Sequence, residues 1–269
     1  MSIPSPRPRS RQSSAKPARL LDLGTRPYRE VWEIQHALHE AVREGREPDT
    51  WIFVEHTPVI TLGRKANREN VLLSPQALAA RGVDLVEIER GGDVTYHGPG
   101  QLVVYPIRRL ERFREVVPLV RSLESAVIEA VAQYGIAAER WKEHAGVWVG
   151  RNQICAVGLA VQKMVSLHGI ALNVTTALDY DRLINPCGLT DHGITSIAHE
   201  CGRAVSVDSV KPVLIEELEK AFGIILRQAQ VDTLISQSSV TTSAAPSVTL
   251  SHSPSVTLSL SKGAVNDGN

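Results

Sequence analysis

The chain is poor in cysteine and in aromatic residues, and it carries no surplus of charge of either sign. Its three cysteines, Cys155, Cys187 and Cys201, form no CxxC pair, which argues against a disulfide framework and a structural zinc site. Lysine plus arginine equals aspartate plus glutamate at 29 each, so the basic surplus of a nucleic-acid-binding protein is missing. No apolar run approaches the roughly 20 residues of a membrane span. We therefore expect no nucleic-acid partner and no membrane partner, and a reducing cytoplasm is the simplest location.

Several cofactor-binding motifs are also missing. The sequence contains no GxxxxGKS or GxxxxGKT loop for nucleotide phosphates, and its glycine-rich segments do not match GxGxxG. No two histidines lie four residues apart with an acid between them, which is the spacing of a common zinc site. We therefore predict neither a metal nor another bound cofactor.

Composition divides the chain into three parts. Residues 1–19 are rich in serine, proline and arginine and contain no acidic residue, so we predict a disordered basic segment. Residues 232–269 consist mainly of serine, threonine, valine and proline and contain PSVTLS twice, which is typical of a low-complexity disordered tail. Residues 20–231 remain as the predicted folded domain.

Helices and strands alternate within this domain. Apolar residues at helical spacing predict helices over residues 28–42, 115–134 and 206–222, and a short helix from Ser74-Pro75 to Gly82. Runs rich in β-branched residues predict strands over residues 51–54, 59–62, 83–89, 102–107, 146–149, 154–162 and 165–174. This order predicts an α/β (α+β) fold in which helices pack on a mixed β-sheet.

The most informative segment, residues 90–101, reads RGGDVTYHGPGQ and is interpreted as a loop between two strands. Glycines at this density allow positive φ angles and a close approach of the backbone to a ligand. Two other segments share this pattern, SLHGIALNV at residues 166–174 and INPCGL at residues 184–189. Together they predict one binding site that contains a cysteine.

Cys187 is the candidate nucleophile. It lies in the turn sequence NPCG, which displays a side chain, and an ionised thiol is well suited to thioester exchange. A small buried residue without chemistry is the alternative interpretation. Cys155 lies in an apolar strand and is expected to be a packing residue, and Cys201 is given no role. His97 and His168 each precede a glycine, and each is either a structural hydrogen-bonding residue or a catalytic base.

These segments together resemble one family, the lipoyl(octanoyl) transferases. The resemblance is carried by EHTPVITLGRKANRENVL from Glu55, RGGDVTYHGPGQLVVYPI from Arg90, GVWV from Gly146, ICAVGLAV from Ile154, HGIALNV from His168, and INPCGL followed by GITSI. It extends over about residues 20–226 and leaves both tails out.

The resemblance implies a fold similar to that of lipoate ligases and of the catalytic domain of biotin ligases. It implies that Cys187 attacks octanoyl-acyl carrier protein to form an acyl-enzyme, which a lysine of an acceptor protein then attacks. The implied acceptors are lipoyl domains of 2-oxoacid dehydrogenases and the glycine cleavage H protein, in the first step of endogenous lipoate synthesis. The implied acyl-binding residues are Arg90, Gly91, Gly92, Asp93, Val94, Thr95, Tyr96, His97, Ala156, Val157, Gly158, Gly169, Ile170 and Ala171.

One residue departs from the family pattern. The family has a lysine directly before the strand that corresponds to ICAVG, where it lowers the pKa of the cysteine, and this chain has Gln153 there. A thiol with a pKa of about 8.5 is only a few per cent ionised at neutral pH, so loss of the cation lowers the thiolate population by about one to two orders of magnitude. Lys163 is a candidate substitute, with a solvated strand residue as the alternative. His97 or His168 as base is a second explanation, and a slow or inactive enzyme is a third.

Three functions stay open on these residues. The first is acyl transfer through Cys187. The second is non-catalytic acyl binding, which only Gln153 favours. The third is ATP-dependent ligation, against which Cys187 and Gln153 together argue. Because acyl carrier protein is strongly acidic, a local basic patch is expected despite the neutral balance of charge. The candidates are Arg64, Lys65, Arg68, Arg108, Arg109 and Arg112, with ordinary solvated side chains as the alternative.

Overall fold

The computed structural model describes residues 15–142, 144–185 and 192–229 of the chain. The strands of this part are β1 Lys16–Arg26, β2 Thr50–His56, β3 Val59–Leu62, β4 Asp84–Glu87, β5 Val94–His97, β6 Gln101–Ile107, β7 Glu139–Arg140, β8 Gly146–Val149, β9 Asn152–Gln162, β10 Val165–Asn173, β11 Gly193–Ile194 and β12 Ile224–Gln228. The α-helices are α1 Tyr28–Arg43, α2 Pro75–Ala79, α3 Val116–Ala132, α4 Ile197–Cys201 and α5 Val207–Phe222. No helix among the described residues is both long enough and apolar enough to cross a membrane.

A large mixed sheet forms the centre of the fold. Its strands follow the order β12-β1-β2-β6-β10-β9-β8-β7, and β11 pairs with β9 beside this row. β1 runs parallel to β12 and to β2, whereas the pairs from β2 to β8 along the row are antiparallel. The prediction of a mixed sheet with helices packed on it is confirmed.

Helices cover both faces of the large sheet, because alternate residues of a strand point to opposite faces. On β2, Phe53 belongs to the same buried cluster as Leu123 of α3 and Leu214 of α5. The next residue along β2, Val54, belongs instead to a cluster with Val31 of α1. The sheet is therefore the middle of three layers, and burial of apolar surface at about 25 cal/mol per Å² stabilises both interfaces.

A smaller sheet of order β4-β3-β5 lies beside the large one. β3 is parallel to β4 and antiparallel to β5. Its buried cluster includes Ile60, Val94, Tyr180 and Ile184. The segment that follows β4 also reaches the large sheet, since the N–H of Gly91 donates to the carbonyl of Leu159 in β9 at 3.1 Å. The two sheets thus meet at the glycine-rich segment.

The caps of α2 and α5 are formed by the serine and glycine residues that predict them. The Ser74 side chain accepts a hydrogen bond from the Ala77 N–H at the start of α2. Ser206 and Ser209 exchange side-chain and backbone hydrogen bonds at the start of α5, and Gly223 ends that helix with a φ of 62°.

Two outer strands, β1 and β12, are not predicted from the sequence. β1 begins at Lys16, so the prediction that residues 1–19 are disordered is wrong for residues 16–19. These residues are ordered by pairing with β12, from Lys16 opposite Ile224 to Arg19 opposite Arg227, a partner that lies about 200 residues away in the sequence. Local composition carries no information on such a distant partner. The rest of both predicted tails, residues 1–14 and 230–269, lies outside the described residues.

The glycine-rich segment is also more regular than a loop. Its residues 94–97 form β5, which pairs with β3 from Val94 opposite Leu62 to His97 opposite Val59. The prediction of one continuous loop over residues 90–101 is therefore wrong for these four positions. Alternate β5 side chains consequently point to opposite faces of the small sheet.

Candidate active site

A cavity, here called the main cavity, opens where the small sheet meets β9 and β10. The segment from Arg90 to β5 forms one wall, β9 and β10 form the opposite wall, and the start of α1 closes one end. Its lining residues are Tyr28, Arg90, Gly91, Gly92, Asp93, Thr95, His97, Tyr105, Ala145, Gln153, Ala156, Val157, Gly158, His168, Gly169, Ile170 and Ala171. The predicted acyl-binding residues all line this cavity except Val94 and Tyr96.

Val94 and Tyr96 line a smaller adjoining space, here called the side cavity. It is completed mainly by Gln101 of β6, Asn173 of β10, Tyr180 and Ile184. The two cavities share a common wall, formed by Thr95, Gln153, Ala156 and Ala171. Molecules bound in the two cavities would therefore both contact these four residues.

Arg90 is held rigidly in the wall of the main cavity, with only 6% of its surface exposed. Its Nη2 donates to the backbone oxygen of Thr61 at 2.8 Å and to Oγ1 of Thr61 at 2.9 Å, and its Nη1 donates to the Gly91 carbonyl at 3.0 Å. Its side-chain stem covers Gly158, where an added Cβ would lie 3.2 Å from Cδ of Arg90. A side chain at position 158 would thus narrow the cavity.

The loop after β3 supports this wall from behind. The N–H groups of Arg64 and Lys65 donate to the carbonyls of Arg90 and Gly92 at 3.1 and 3.2 Å. A Cβ added to Gly63 would lie 2.4 Å from the Gly92 oxygen, so only glycine permits this close approach. The glycine-rich wall is therefore fixed by backbone contacts.

His97 is a neutral, oriented imidazole. Gln101 donates from Nε2 to the oxygens of Tyr96 and Asn173, so its Oε1 faces Nδ1 of His97 at 2.7 Å and accepts the proton of that nitrogen. Nε2 is then the unprotonated nitrogen. Burial, together with the nearby His56 ring, lowers the pKa of His97 to about 3. An imidazole this weak is a poor general base near neutral pH, which favours the structural interpretation.

Three side chains, Tyr28, Tyr105 and His168, form what is here called the floor of the main cavity. His168 adopts a φ of 59°, a left-handed conformation that a non-glycine residue rarely takes in a strand. Its N–H donates to Oε1 of Gln35 in α1 at 2.9 Å, and its Nδ1 lies 3.4 Å from the Tyr28 hydroxyl. Contacts with α1 therefore hold the ring across the end of the cavity.

A partly buried carboxylate, Glu89, stands behind this floor. Its Oε1 lies 3.4 Å from Nε2 of His168, without an aligned hydrogen bond, and 3.0 Å from Nε2 of His36, and it also accepts from the Trp32 indole. Burial alone would raise the pKa of Glu89, but the contacts with His168 and His36 hold it well below its usual range. Burial lowers the pKa of His168 although Glu89 raises it, so the floor pairs a neutral ring with a charged acid.

His56 supports Tyr105 from the side away from the cavity. Nδ1 of His56 donates to the Arg26 carbonyl at 3.1 Å, which leaves Nε2 to accept from the Tyr105 hydroxyl at 2.9 Å. Burial lowers the pKa of His56 to about 4 and raises that of Tyr105. Both groups are therefore neutral near pH 7.

Gln153 lies in the wall that separates the two cavities. It is opposite Trp148 on β8, and its carbonyl accepts from the Thr195 N–H at 3.0 Å. Its Nε2 lies 2.8 Å from the position of a Cβ added to Gly146. The residue at the family's lysine position is thus part of both cavities.

The candidate nucleophile Cys187 lies outside the described residues, which end at 185 and resume at 192. Cys155 is fully buried in the main core, and burial raises the pKa of its thiol. Such a thiol is inert, as a packing residue would be. Cys201 is partly exposed in α4 and lines neither cavity.

Lys163 is not brought to Gln153. It occupies the two-residue turn between β9 and β10, where Lys163 and Met164 have φ angles of 46° and 63°. Its side chain is 65% exposed, and its Nζ lies 3.7 Å from Oε1 of Glu40. Ten residues of strand separate it from Gln153, roughly 33 Å at the usual rise. The hypothesis that Lys163 replaces the family's lysine is therefore wrong.

The six residues of the predicted basic patch lie in two separate places, after β6 and after β3. Arg109 donates to the carbonyls of Val42 and Arg43 at the end of α1, and the Arg108 guanidinium lies 5.3 Å from the Phe222 ring centroid. These two arginines, with Arg112, follow the far end of β6. Arg68 pairs with Glu87 on the surface. Arg64 and Lys65 lie in the loop after β3, where their own N–H groups contact the glycine-rich wall. Arg68 lies further along the same segment, between Asn67 and Asn70, which both bond Asp93.

Sequence reasoning missed the residues that come from distant elements. Tyr28 and Tyr105 fall within a predicted helix and a predicted strand, but nothing local indicates that α1 and β6 expose them to a cavity. Glu89 is the exception, because its position directly before the glycine-rich segment could have marked it as a candidate site residue. No three histidine, cysteine or acidic side chains of the described residues converge as a metal site would require.

Comparison with solved structures places this architecture in a known class. A lipoate-protein ligase A bound with ATP matches with a TM-score of 0.69 at 18% identity, over 82% of this chain and 93% of that one. The bipartite lipoate protein ligase from Thermoplasma acidophilum matches with a TM-score of 0.68 at 20% identity, over 82% and 91%. At these identities the likeness shows the fold alone. A family model, the lipoyl protein ligase A/B catalytic domain, also matches residues 27–219.

Sequence relatives are more specific. The octanoyltransferase of Chloroflexus aurantiacus is 45% identical over 206 residues, which cover 75% of this chain and 92% of that protein. The octanoyltransferase of Koribacter versatilis is 41% identical over 215 residues, which cover 78% and 84%. The chain therefore belongs to the octanoyltransferases of the lipoyl protein ligase A/B family, and the membership predicted from its motifs is confirmed.

Proposed function

We propose that this chain transfers an octanoyl group from octanoyl-acyl carrier protein to a lysine of lipoyl domains through a thioester on Cys187. The reaction would be the first step of endogenous lipoate synthesis and would take place in the cytoplasm. Membership of the octanoyltransferases supplies the reaction class, acyl transfer. The observation that carries the proposal is the main cavity, whose walls contain most of the residues that the resemblance assigns to acyl binding.

The chemistry consists of two balanced exchanges. In the first, the sulfur of Cys187 attacks the donor thioester carbon, and the carrier thiol leaves with the proton that the cysteine lost. In the second, the acceptor amine attacks the new thioester, the C–S bond breaks, and the cysteine is regenerated. The amide nitrogen has then lost two protons relative to the lysine ammonium, one of which returns to sulfur and one to solvent. Both exchanges pass through an oxyanion that backbone N–H groups can stabilise.

The main cavity suits an aliphatic chain along most of its length. Ala156 and Ala171, paired on β9 and β10, present small apolar side chains on the α1 side of the sheet, opposite the glycine backbone. Val157 and Ile170 contribute backbone to the lining, because their side chains pack into the cluster on the other face. Burial of methylene groups stabilises the bound chain by about 0.8 kcal/mol each. The fixed wall around Arg90 limits rearrangement on binding, which favours a defined position of the thioester.

The proposed partners follow from the same reaction. The donor is the acidic acyl carrier protein, and Arg64 and Lys65 are exposed on the loop that supports the glycine-rich wall. Opposite charge at such a rim increases the rate of association more than the final affinity. The acceptors are lipoyl domains of 2-oxoacid dehydrogenases and the glycine cleavage H protein.

A catalytically weakened acyl-binding protein is the second candidate function. Gln153 favours it, because this neutral residue lines the main cavity at the position where the family has its lysine. Neither His97, whose pKa is about 3, nor the distant Lys163 replaces the missing cation. The cavity would then hold an acyl chain without transferring it.

Intact-mass measurement distinguishes these functions. The protein is incubated with octanoyl-acyl carrier protein, and a mass gain of one octanoyl group is expected in the wild type and in Cys201→Ala but not in Cys187→Ala. An unchanged mass with tight octanoate binding would support the acyl-binding alternative. Octanoylation that requires ATP and free octanoate would indicate a ligase instead.

A further inference from the structure

Asp93 connects the glycine-rich wall to a second segment of the chain. The residue lines the main cavity, and its carbonyl accepts from the Gly63 N–H at 3.0 Å. Its carboxylate bonds residues that do not line this cavity. Oδ1 of Asp93 accepts from the Asn67 N–H at 2.8 Å, and Oδ2 accepts from Nδ2 of Asn70. The carboxylate therefore ties residues 67–70 to the wall.

The chain around these residues, 67–72, is here called the clamp segment, and it also pairs with residues 183–185. The two stretches contact one another as an antiparallel strand pair does. The contacts are the bond from the Asn185 N–H to the Asn70 carbonyl at 2.8 Å, the bond from the Leu72 N–H to the Leu183 carbonyl at 2.9 Å, and the bridge of Val71 with Ile184. Cys187 follows two residues later in the sequence. The clamp segment thus lies between the carboxylate of Asp93 and the chain that leads to the candidate nucleophile.

Apolar packing explains the middle of this pairing. Ile184 is buried in the cluster of the small sheet, and Val71 packs against that cluster. The end of the pairing is polar instead, since the N–H of Asn185 bonds Asn70, whose side chain bonds Asp93. The last residue described before the cysteine is therefore joined to the wall of the main cavity through a single residue.

We propose that Asp93 is a positioning residue, whose carboxylate acts through the clamp segment to set the place of residues 183–185 and hence the direction in which the chain continues to Cys187. This inference rests on the proposed function, because the position of Cys187 matters only if this cysteine carries the acyl group. A carboxylate suits the role, since hydrogen bonds to a charged acceptor are about twice as strong as neutral ones. The wall of the main cavity and the approach to the nucleophile would then share one support.

Amide hydrogen exchange tests this tie without any catalytic step. Asp93→Asn keeps the size of the side chain and one oxygen for the Asn67 N–H, but it turns an N–H donor toward Nδ2 of Asn70. Exchange in peptides that contain residues 183–185 should then accelerate by about tenfold, the effect of one lost hydrogen bond to a charged group.

Glu87→Gln is the matched control for this experiment. Glu87 is an exposed acid that bonds Arg68, within the same clamp segment, through their side chains. Because an exposed ion pair contributes little, exchange at residues 183–185 should stay within about twofold of the wild type. Equal acceleration by Glu87→Gln and Asp93→Asn would overturn the inference.

An exchange of the two partners guards against general misfolding as the cause. Asn70→Asp alone places two carboxylates face to face and should also accelerate hydrogen exchange. The double variant that combines Asp93→Asn with Asn70→Asp again sets a donor opposite an acceptor, so its exchange should return to within about twofold of the wild type. A double variant that exchanges as fast as the faster single variant would count against the proposed tie.

Acylation then connects the tie to the reaction. Single-turnover formation of octanoyl-enzyme at saturating octanoyl-acyl carrier protein should fall by about tenfold in Asp93→Asn, because a displaced nucleophile attacks less often. The affinity for octanamide, an uncharged probe of the main cavity, should stay unchanged, and the double variant should recover the acylation rate. Slower acylation together with weaker octanamide binding would mean that Asp93 serves only the cavity wall, which would overturn the inference.

The proposed function and this inference fail in different experiments. If the wild type forms no octanoyl-enzyme, the proposed function fails, and hydrogen exchange alone decides the role of Asp93. Unchanged exchange at residues 183–185 in Asp93→Asn would show that the packing of Ile184 suffices, and the inference would fail. Faster exchange with a normal acylation rate, in a protein whose wild type is active, would also overturn it.

Discussion

The main cavity and the side cavity share a wall of four residues and differ in charge. Arg90 and Asp93 line the main cavity, and Glu89 stands behind its floor. The described lining of the side cavity contains no charged residue. The same two sheets therefore build, within a few residues, one space that contains fixed charges and one that excludes them.

The difference shows how each cavity is kept in its state. The charges of the main cavity are fixed by specific partners, Thr61 for Arg90 and Trp32 with His36 for Glu89. The side cavity contains no fixed charge because its described lining residues are all neutral, and Gln101 and Asn173 bond one another and nearby carbonyls. Charge fixed in this way costs no reorganisation when a reaction occurs, and an uncharged pocket favours a neutral nucleophile.

The largest effect is expected from removal of the buried guanidinium. Arg90→Met leaves the oxygens of Thr61 and Gly91 without their donors and should lower the free energy of unfolding by about 2–4 kcal/mol. The rate of octanoyl transfer should fall as well, since the wall of the main cavity around Arg90 loses its support. Urea denaturation and the acylation rate measure both effects. Arg68→Met is the control, because that arginine makes only an exposed pair with Glu87. Equal effects of the two substitutions would refute the role given to Arg90.

The neutral histidines near the floor predict a loss of stability in acid. The folded-state pKa values of His56 and His97, about 4 and about 3, lie below the ordinary 6.5 of an unfolded chain. The unfolded state therefore binds more protons, and stability is complete above pH 6.5 and is lost as the pH falls toward 4. His56 alone contributes up to about 3 kcal/mol.

Urea midpoints measured from pH 7 to pH 4 check this slope. His56→Gln should flatten it, whereas His199→Gln should not, because that side chain is exposed on α4. An unchanged slope in His56→Gln would show that other groups control the acid sensitivity.

The third prediction concerns a positive charge introduced at the shared wall. Gln153→Lys places a cation between the cavities, where it should lower the pKa of Cys187 and move the pH–rate midpoint of acylation downward. Because only a few per cent of an ordinary thiol is ionised at pH 7, the rate there should rise by about tenfold. Gln153→Met is the control for side-chain size. A pH profile that does not move would contradict the account of the missing charge.

The regular elements of this fold are predictable because their signals are local. The apolar stripes of α1, α3 and α5 and the branched runs of β9 and β10 are complete within about 20 residues. β1 and β12 carry no such signal, since each is ordered by the other across the whole chain. Lys163 shows the same limit in the site, because the two-residue turn that directs it away from Gln153 depends on the pairing of β9 with β10.

The floor of the main cavity gives the smallest predicted effect and concerns chain length. Gln153 lies about 16 Å along β9 from Gly158, which pairs with Gly169 next to His168. A chain attached near Gln153 would therefore extend toward the His168 ring. His168→Gly removes this ring and suits the φ of 59°. It should favour nonanoyl over octanoyl donors by about fourfold, the effect of one additional buried methylene group.

The opposite change provides the control for this prediction. Gly158→Ala adds a methyl group 3.2 Å from Cδ of Arg90 and should favour hexanoyl over octanoyl donors. Acylation rates with C6 to C12 acyl carrier proteins measure both shifts. If His168→Gly leaves the octanoyl preference unchanged while Gly158→Ala shortens it, the chain ends before the floor. Glu89, behind the floor, would then play no part in the selection of chain length.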